Sequence, residues 1–390
     1  MDQKLPDWDP YAPGDLAERM AGMDAARERS AVAHIAQTGG SYEILRYEDI
    51  TAAARDPALF SNAGGPRHER RLPPLEYDPP EHGAYRAMLQ PFFAPARMRA
   101  LEPRVREIAT SLLAPLVGEA AGDFAKGYSY PLPVLGLCAQ LGVDGGDWPD
   151  IKVWSEGTLH AESADPDLRA LALASHERIL AYGRRLIAER VAHPRPPEDD
   201  LICAMIAAAA KDAPLDQDFM AYVLRLFISA GHNSTTSALG NALLHLAEHP
   251  DDQARLRAEP GLIPLALEEF LRLYTPVQEM PRWATRDAEV GGCPIPRGAR
   301  VGMVWASGNR DEAAFPEAGR CVFDRRPNRH LAFGHGVHTC LGAPMARLEL
   351  RVALEELLSR TKHFEICGPV ERPPFRRLGV SALPLKLTLA

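Results

Sequence analysis

The chain has 390 residues, 46% of them hydrophobic and 25% charged, which is the composition of a folded protein with a large interior and excludes a disordered or fibrous chain. A net charge of -8 and an isoelectric point near 5.9 put no basic field over the molecule, so a nucleic-acid binder and a generally membrane-seeking surface are not expected. The six cysteines are scattered without a CxxC pair, so neither a zinc module nor a secreted disulfide framework is expected.

Taken in chain order, residues 1–16 (MDQKLPDWDPYAPGDL) are rich in aspartate and proline and contain no apolar signal core. With no hydrophobic run long enough to span a bilayer, a cytoplasmic protein is expected. SYEILRY at 41–47 reads as a strand, and His68-Glu-Arg70-Arg71 as an exposed loop. From about residue 80 to 275 the pattern is helical, with apolar residues three and four apart and much alanine, leucine and arginine. Breaks fall at Gly142 to Pro149, at His193 to Pro197 and at His249-Pro250. The proline-free stretch from Asp216 to His249 predicts one helix about 50 Å long at ~1.5 Å per residue. Glycine and proline punctuation marks short strands about 288–303, a further helix covers 341–360, and LPLKLTL gives a strand region at 380–390. No repeat and no interdomain linker is visible. The expected architecture is therefore mainly α with small β-sheets, in a single large domain over 1–390.

The strongest chemical signal is Phe333-Gly-His-Gly-Val-His338-Thr-Cys340-Leu-Gly342-Ala-Pro344, running straight into an amphipathic helix. Pro344 suits the first turn of that helix, where its missing N–H costs little. Cys340 then sits just ahead of a helix N-terminus, where unpaired N–H groups and the positive dipole end favour a thiolate, a soft metal ligand. Gly334 and Gly336 permit a tight bulged hairpin, Gly342 allows a flat ligand or a second helix to approach, and Phe333 shields the sulfur. The segment resembles the haem-binding signature of the cytochrome P450 family, FGxGxHxCxGxxxA.

The resemblance runs from YEDITAAARDPALFS near 47–61 to the C-terminal strand, and implies the family's largely α fold around haem b (iron protoporphyrin IX), bound non-covalently apart from a Cys340–iron bond. Glu269 and Arg272 in ALEEFLRL resemble the family's ExxR motif, which locks the core beneath the haem together with a downstream arginine, here expected at Arg326. His82 and Arg86, four apart on one helix face, resemble residues that bind a haem propionate, and Arg282 and His338 fit the same role.

Ala230-Gly231-His232-Asn233-Ser234-Thr235-Thr236 resembles the family's AGx(D/E)TT stretch over the iron, with a departure. Gly231 leaves room for oxygen and substrate at the helix backbone. Where most members have an acid followed by a threonine to relay protons, this chain has Asn233 and Ser234, with Thr235 next; serine keeps the hydroxyl, but an asparagine does not titrate. Water-relayed oxygen activation with Asn233 as an orienting amide, assistance by a substrate hydroxyl, and direct use of peroxide all remain open, and the first is preferred.

The resemblance implies a monooxygenase that inserts one oxygen atom from O₂ into a small-to-medium apolar organic substrate. No flavin or nicotinamide fingerprint is present, so electrons are expected from a separate iron–sulfur ferredoxin with its reductase, with Arg347 and Arg351 as candidate docking cations. Leu226, Phe227, Ala230, Val277, Met280 and Val380 are the expected substrate-pocket residues. A peroxide-driven haem-thiolate peroxygenase and a non-enzymatic haem sensor are the competing readings.

Overall fold

A computed structural model describes residues 8, 16–36, 40–64, 70–161, 163, 165–198, 200–212, 217–373 and 378–390. Most of the stretch 1–16, His68, Glu69 and the expected helix start at Asp216 lie outside the described residues.

Helices Pro95–Gly118, Pro131–Leu141, Asn233–Glu248, Ile263–Tyr274 and Ala343–Arg360 pack around one core, where Val105, Leu113, Leu239, Leu243, Phe270, Val352 and Leu354 meet. Beside it, helices Trp148–Thr158 and Pro166–Ala192 close on Gln217–Ala230 through Ile151, Ile179, Leu186, Leu224 and Ile228. The expected breaks fall where backbone chemistry puts them. Gly142 takes φ +67° and closes Pro131–Leu141, its N–H donating to Ala139 and that of Val143 to Cys138. His249 ends Asn233–Glu248, and Pro250 opens the next helix at a position that needs no N–H.

The 216–249 stretch is two helices, Gln217–Ala230 and Asn233–Glu248, not one. Helical bonding runs to Gly231, whose N–H donates to Phe227, and resumes with Thr236 donating to His232. In between, the side chains of Asn233 and Ser234 reach back to the carbonyls of Ser229 (3.5 Å) and Ala230 (3.4 Å), the acceptors that a continuous helix would give to their own N–H groups. Polar side chains inserted into the ladder are a recognised cause of helix breaks, and periodicity alone does not register them.

Five short strands form one sheet in the order Val32–Ile35, Ser41–Ile44, Arg300–Met303, Met280–Ala284, Phe60–Ser61, with only the second and third parallel. The strand expected over 41–47 stops at Ile44, because Tyr47 opens helix Tyr47–Ala54 with Glu48 and Asp49 in its first turn. Within 288–303 a hairpin, Ala288–Val290 with Cys293–Ile295, turns at Gly291 and Gly292, both at positive φ, ahead of Arg300–Met303. Pro384–Leu389 lies between Ala121–Asp123 and Thr361–Ile366.

Glu269 and Arg272, both fully buried, tie the helical core to the segment that leads to Cys340. Arg272 donates to both carboxylate oxygens of Glu269 at 2.8 Å and to the carbonyls of Asn309, Ala318 and Arg320. Glu269 also accepts from the Val322 N–H at 2.9 Å and from Asn328 Nδ2 at 3.1 Å. The downstream arginine is Arg325, not Arg326: a turn from Val322 folds Arg325 back until Nε lies 3.0 Å from Glu269 Oε1, while Arg326 faces solvent. Burial pushes the Glu269 carboxyl up, but Arg272, Arg325 and the Val322 N–H together hold it below its ordinary value of 4.5.

A carboxyl with a depressed folded-state value stabilises above the unfolded value and loses that contribution as pH falls through the folded one. Glu269→Gln leaves a buried guanidinium without its counter-charge, and is expected to cost about 3–5 kcal/mol at neutral pH. Urea unfolding of wild type and variant should show a gap that is constant at neutral pH and narrows in acid as Glu269 protonates.

Candidate active site

Cys340 closes its loop through its own N–H, which donates to the Phe333 carbonyl at 2.7 Å. Thr339 Oγ1 donates to Gly336 at 2.7 Å inside the turn. Gly334 and Gly336 take φ of +72° and +75°. Gly336 is needed for a second reason: a Cβ there would lie 2.2 Å from the Ala54 carbonyl oxygen, so only glycine lets the loop seat on helix Tyr47–Ala54.

The sulfur lies deep in the molecule, and its accessible surface faces a cavity of about 460 Å³. Burial pushes the Cys340 thiol up, while the N–H groups of Gly342 and Ala343 and the charges of Arg86 and Arg347 pull it down. The net direction is upward, so the thiol needs a cation to displace its proton, whereas the two N–H groups already suit the thiolate.

One cavity brings together nearly all the predicted residues. Gly231, Asn233, Ser234 and Thr235 line it at the helix break, with Leu226, Phe227 and Ala230 just before. Val277 and Met280 add apolar wall, and Phe333, Cys340 and Gly342 come from the loop. Val380 is a correction: it is buried against Gly240, where an added Cβ would lie 2.5 Å from its Cγ2, and among the described residues it is core beneath helix Asn233–Glu248 rather than cavity wall.

His82, Arg86, Arg282 and His338 meet at one side of the cavity. The rings of His82 and His338 are 4.2 Å apart. Burial, Arg282, His82 and Arg86 push His338 down to about 3, and burial with Arg86 lowers His82. His338 Nε2 is buried without a hydrogen-bond partner among the described residues, 3.8 Å from Asp78 Oδ1. Cation-capable groups that repel one another, with an unsatisfied ring nitrogen among them, fit an anionic guest. The site thus offers a cysteine sulfur, an apolar chamber and an anion corner, which fit a haem with its two propionates.

Asn233 does not hang free over the cavity. Its Nδ2 donates to Ser155 Oγ at 2.7 Å, fastening the break to helix Trp148–Thr158, so only Oδ1 is left to orient water. Ser234 keeps its hydroxyl toward the Ala230 carbonyl, and Thr236 Oγ1 is buried without a partner among the described residues.

Among the cavity residues that escaped the sequence reading are Glu349 and Gln140. Glu349 is 1% exposed, its Oε2 has no hydrogen-bond partner among the described residues, and burial pushes its carboxyl well up. Gln140 Nε2 is similarly buried and unpartnered on the same cavity. The available signal was an acid in the apolar stripe Met345, Glu349, Val352 of helix Ala343–Arg360. Arg347 and Arg351, the expected docking cations, are both ion-paired: Arg347 holds Glu268 through two bonds of 2.7 Å, and Arg351 holds Glu102 and Glu355.

The cytochrome P450 family model matches residues 172–389. The chain is 37% identical to the erythromycin C-12 hydroxylase of Saccharopolyspora erythraea over 82% of each chain. It is 32% identical to the vitamin D(3) 25-hydroxylase of Pseudonocardia autotrophica over 93% of this chain and 92% of the other. The solved structure of cytochrome P450 CYP109Q5 from Chondromyces apiculatus superimposes with a TM-score of 0.89 at 33% identity, covering 99% of both chains. The chain belongs to the cytochrome P450 family. It is a haem-iron monooxygenase with the family's mainly α fold. As such it uses O₂, an organic substrate and a redox partner, and no helix among the described residues is long and apolar enough to cross a membrane.

Replacing Gly336 by alanine forces both a left-handed backbone and a clash with Ala54, and should lower the melting temperature of the haem-loaded enzyme, the backbone term alone costing about 1–2 kcal/mol. Gly83→Ala, which meets nothing within 4 Å on its helix, should leave it unchanged or slightly raised.

Proposed function

We propose that this enzyme binds haem b through the Cys340 thiolate and inserts one oxygen atom from O₂ into a C–H bond of a small-to-medium apolar organic molecule, or begins an oxidative dealkylation there. The observation that carries this reading is a single apolar cavity shared by the Cys340 sulfur, the helix break at Gly231–Ser234 and the anion corner. When bound, the haem iron supplies oxygen activation, which thiolate donation favours.

The chain's own residues supply the rest. His82, Arg86, Arg282 and His338 would hold the propionates, and an anion there also relieves their mutual repulsion. Glu269, Arg272 and Arg325 hold the loop on which Cys340 sits. Leu226, Phe227, Val277 and Met280 bind the substrate's apolar surface and exclude water. The relatives named above, a hydroxylase of erythromycin and one of vitamin D(3), support an organic substrate with extensive apolar surface.

Proton delivery divides between two residues. Ser234 presents a hydroxyl that accepts and passes on a proton, with Thr235 beside it. Asn233 has none to give, and its Nδ2 is committed to Ser155. The Glu349 carboxyl, which burial pushes up, is the proton source we propose on the same cavity, and buried waters between it, Gln140 and the hydroxyl residues would satisfy the unpartnered groups. Electrons come from a separate iron–sulfur ferredoxin and its reductase, since the chain carries no flavin or nicotinamide fingerprint. Direct use of peroxide is the second reading, favoured specifically by the amide at 233.

Turnover with ferredoxin, reductase, reduced nicotinamide and ¹⁸O₂ should place one ¹⁸O in the product. Glu349→Gln should lower product formed per nicotinamide by about tenfold or more while haem content stays unchanged. Unlabelled product, or activity with peroxide alone and none with the electron-transfer chain, contradicts the monooxygenase route. Unchanged coupling in Glu349→Gln contradicts the role of that carboxyl.

A further inference from the structure

We propose that His245, Asp252 and Cys321 form a second metal site, for a single zinc-class dication, distinct from the haem cavity. One donor atom from each of these residues lies within 4.8 Å of the other two. They come from three separate segments: His245 from the end of helix Asn233–Glu248, Asp252 from the first turn of helix Pro250–Ala258, and Cys321 from the stretch that precedes Arg325. A thiol, an imidazole and a carboxylate are the donor types that zinc takes, in a tetrahedron that a water completes.

The histidine is already set for the role. Its Nε2 is 2.8 Å from Asp252 Oδ2, and its Nδ1 is 2.7 Å from the Tyr274 hydroxyl. An oxygen on the far ring nitrogen is the usual outer partner of a metal-bound histidine, fixing both ring orientation and tautomer. The ring of His249 stacks on it at 4.1 Å and 12°, holding its plane. His245 is 2% exposed, while the side chain of Asp252 is 28% exposed, which leaves the ion a way in.

The Asp252 carboxylate sits in the cluster itself and supplies a counter-charge for a cation. Bond lengths of about 2.0–2.3 Å at tetrahedral angles place donor atoms roughly 3.3–3.8 Å apart, so separations of up to 4.8 Å close by about 1–1.5 Å and the 2.8 Å contact of His245 and Asp252 opens by about 0.5–1 Å, shifts that the three side chains share. On binding, the Cys321 S–H bond breaks, a sulfur–metal bond forms, and one proton leaves to solvent. The ring proton of His245 passes from Nε2 to Nδ1, facing Tyr274. Because the Val322 N–H bonds to Glu269, a metal on Cys321 would clamp the Glu269–Arg272 hub to the end of helix Asn233–Glu248.

Haem-loaded enzyme, stripped with a chelator, reduced, exposed to micromolar zinc and gel-filtered, should retain about one zinc per iron by elemental analysis. Cys321→Ser and Asp252→Asn should each weaken zinc retention by about 100-fold at unchanged iron content, and Tyr274→Phe by about 10–100-fold. Asp252→Asn, on a partly exposed side chain, decides the matter if Cys321→Ser does not fold. Wild-type enzyme that retains no zinc overturns the proposal, as does zinc retained equally by the Asp252 and Cys321 variants.

Discussion

An electron-rich sulfur inside a protein is a desolvated charge, and the fold is organised around making one tolerable at Cys340. Burial drives the thiol toward its protonated form; the N–H groups of Gly342 and Ala343 and the nearby guanidinium groups offset part of that cost. On the proposed reading, the haem iron would offset the remainder. The geometry that sets those N–H groups on the sulfur is rigid for backbone reasons: positive φ at Gly334 and Gly336, contact of Gly336 with Ala54, and the Cys340 N–H on Phe333. The loop in turn rests on a segment pinned by Glu269, a buried carboxylate that accepts from two arginines, one asparagine and one backbone N–H.

Across the cavity wall, the chain relaxes its own helix where the reaction needs room. At the break Gly231 carries no side chain, and the carbonyls of Ser229 and Ala230 are met by Asn233 and Ser234. Asn233 joins the break to Ser155 on a neighbouring helix through its amide nitrogen, a bond that a carboxylate at this position could only accept and not donate. An acid does line the cavity elsewhere: Glu349, whose carboxyl burial pushes up and whose Oε2 has no partner among the described residues.

The parts legible in the sequence were those whose physics is local. A glycine-rich loop meeting a helix start marks Cys340, and a carboxylate and guanidinium three residues apart mark Glu269 and Arg272. Helix breaks at Gly142 and His249 follow from residues that cannot continue a helix. What escaped depends on contacts distant in sequence. Arg325 and Arg326 are adjacent and identical in type, and only the turn at Val322 selects the first. The strand Phe60–Ser61 is too short to show a period and exists through pairing with the distant Trp283 and Ala284. Val380 belongs to the core because Gly240, far away in sequence, leaves a hollow for it. His245, Asp252 and Cys321 carry no spacing signature because they meet only after three segments pack.

The central claim is that a thiolate at position 340 is the protein ligand of the haem iron, and the absorption spectrum of the reduced, carbon monoxide-treated enzyme tests it most directly. Wild-type enzyme should give the spectrum of thiolate ligation, and Cys340→Ala should lose it. Correctly folded wild-type enzyme without that spectrum, or an unchanged spectrum in the variant, would contradict the claim.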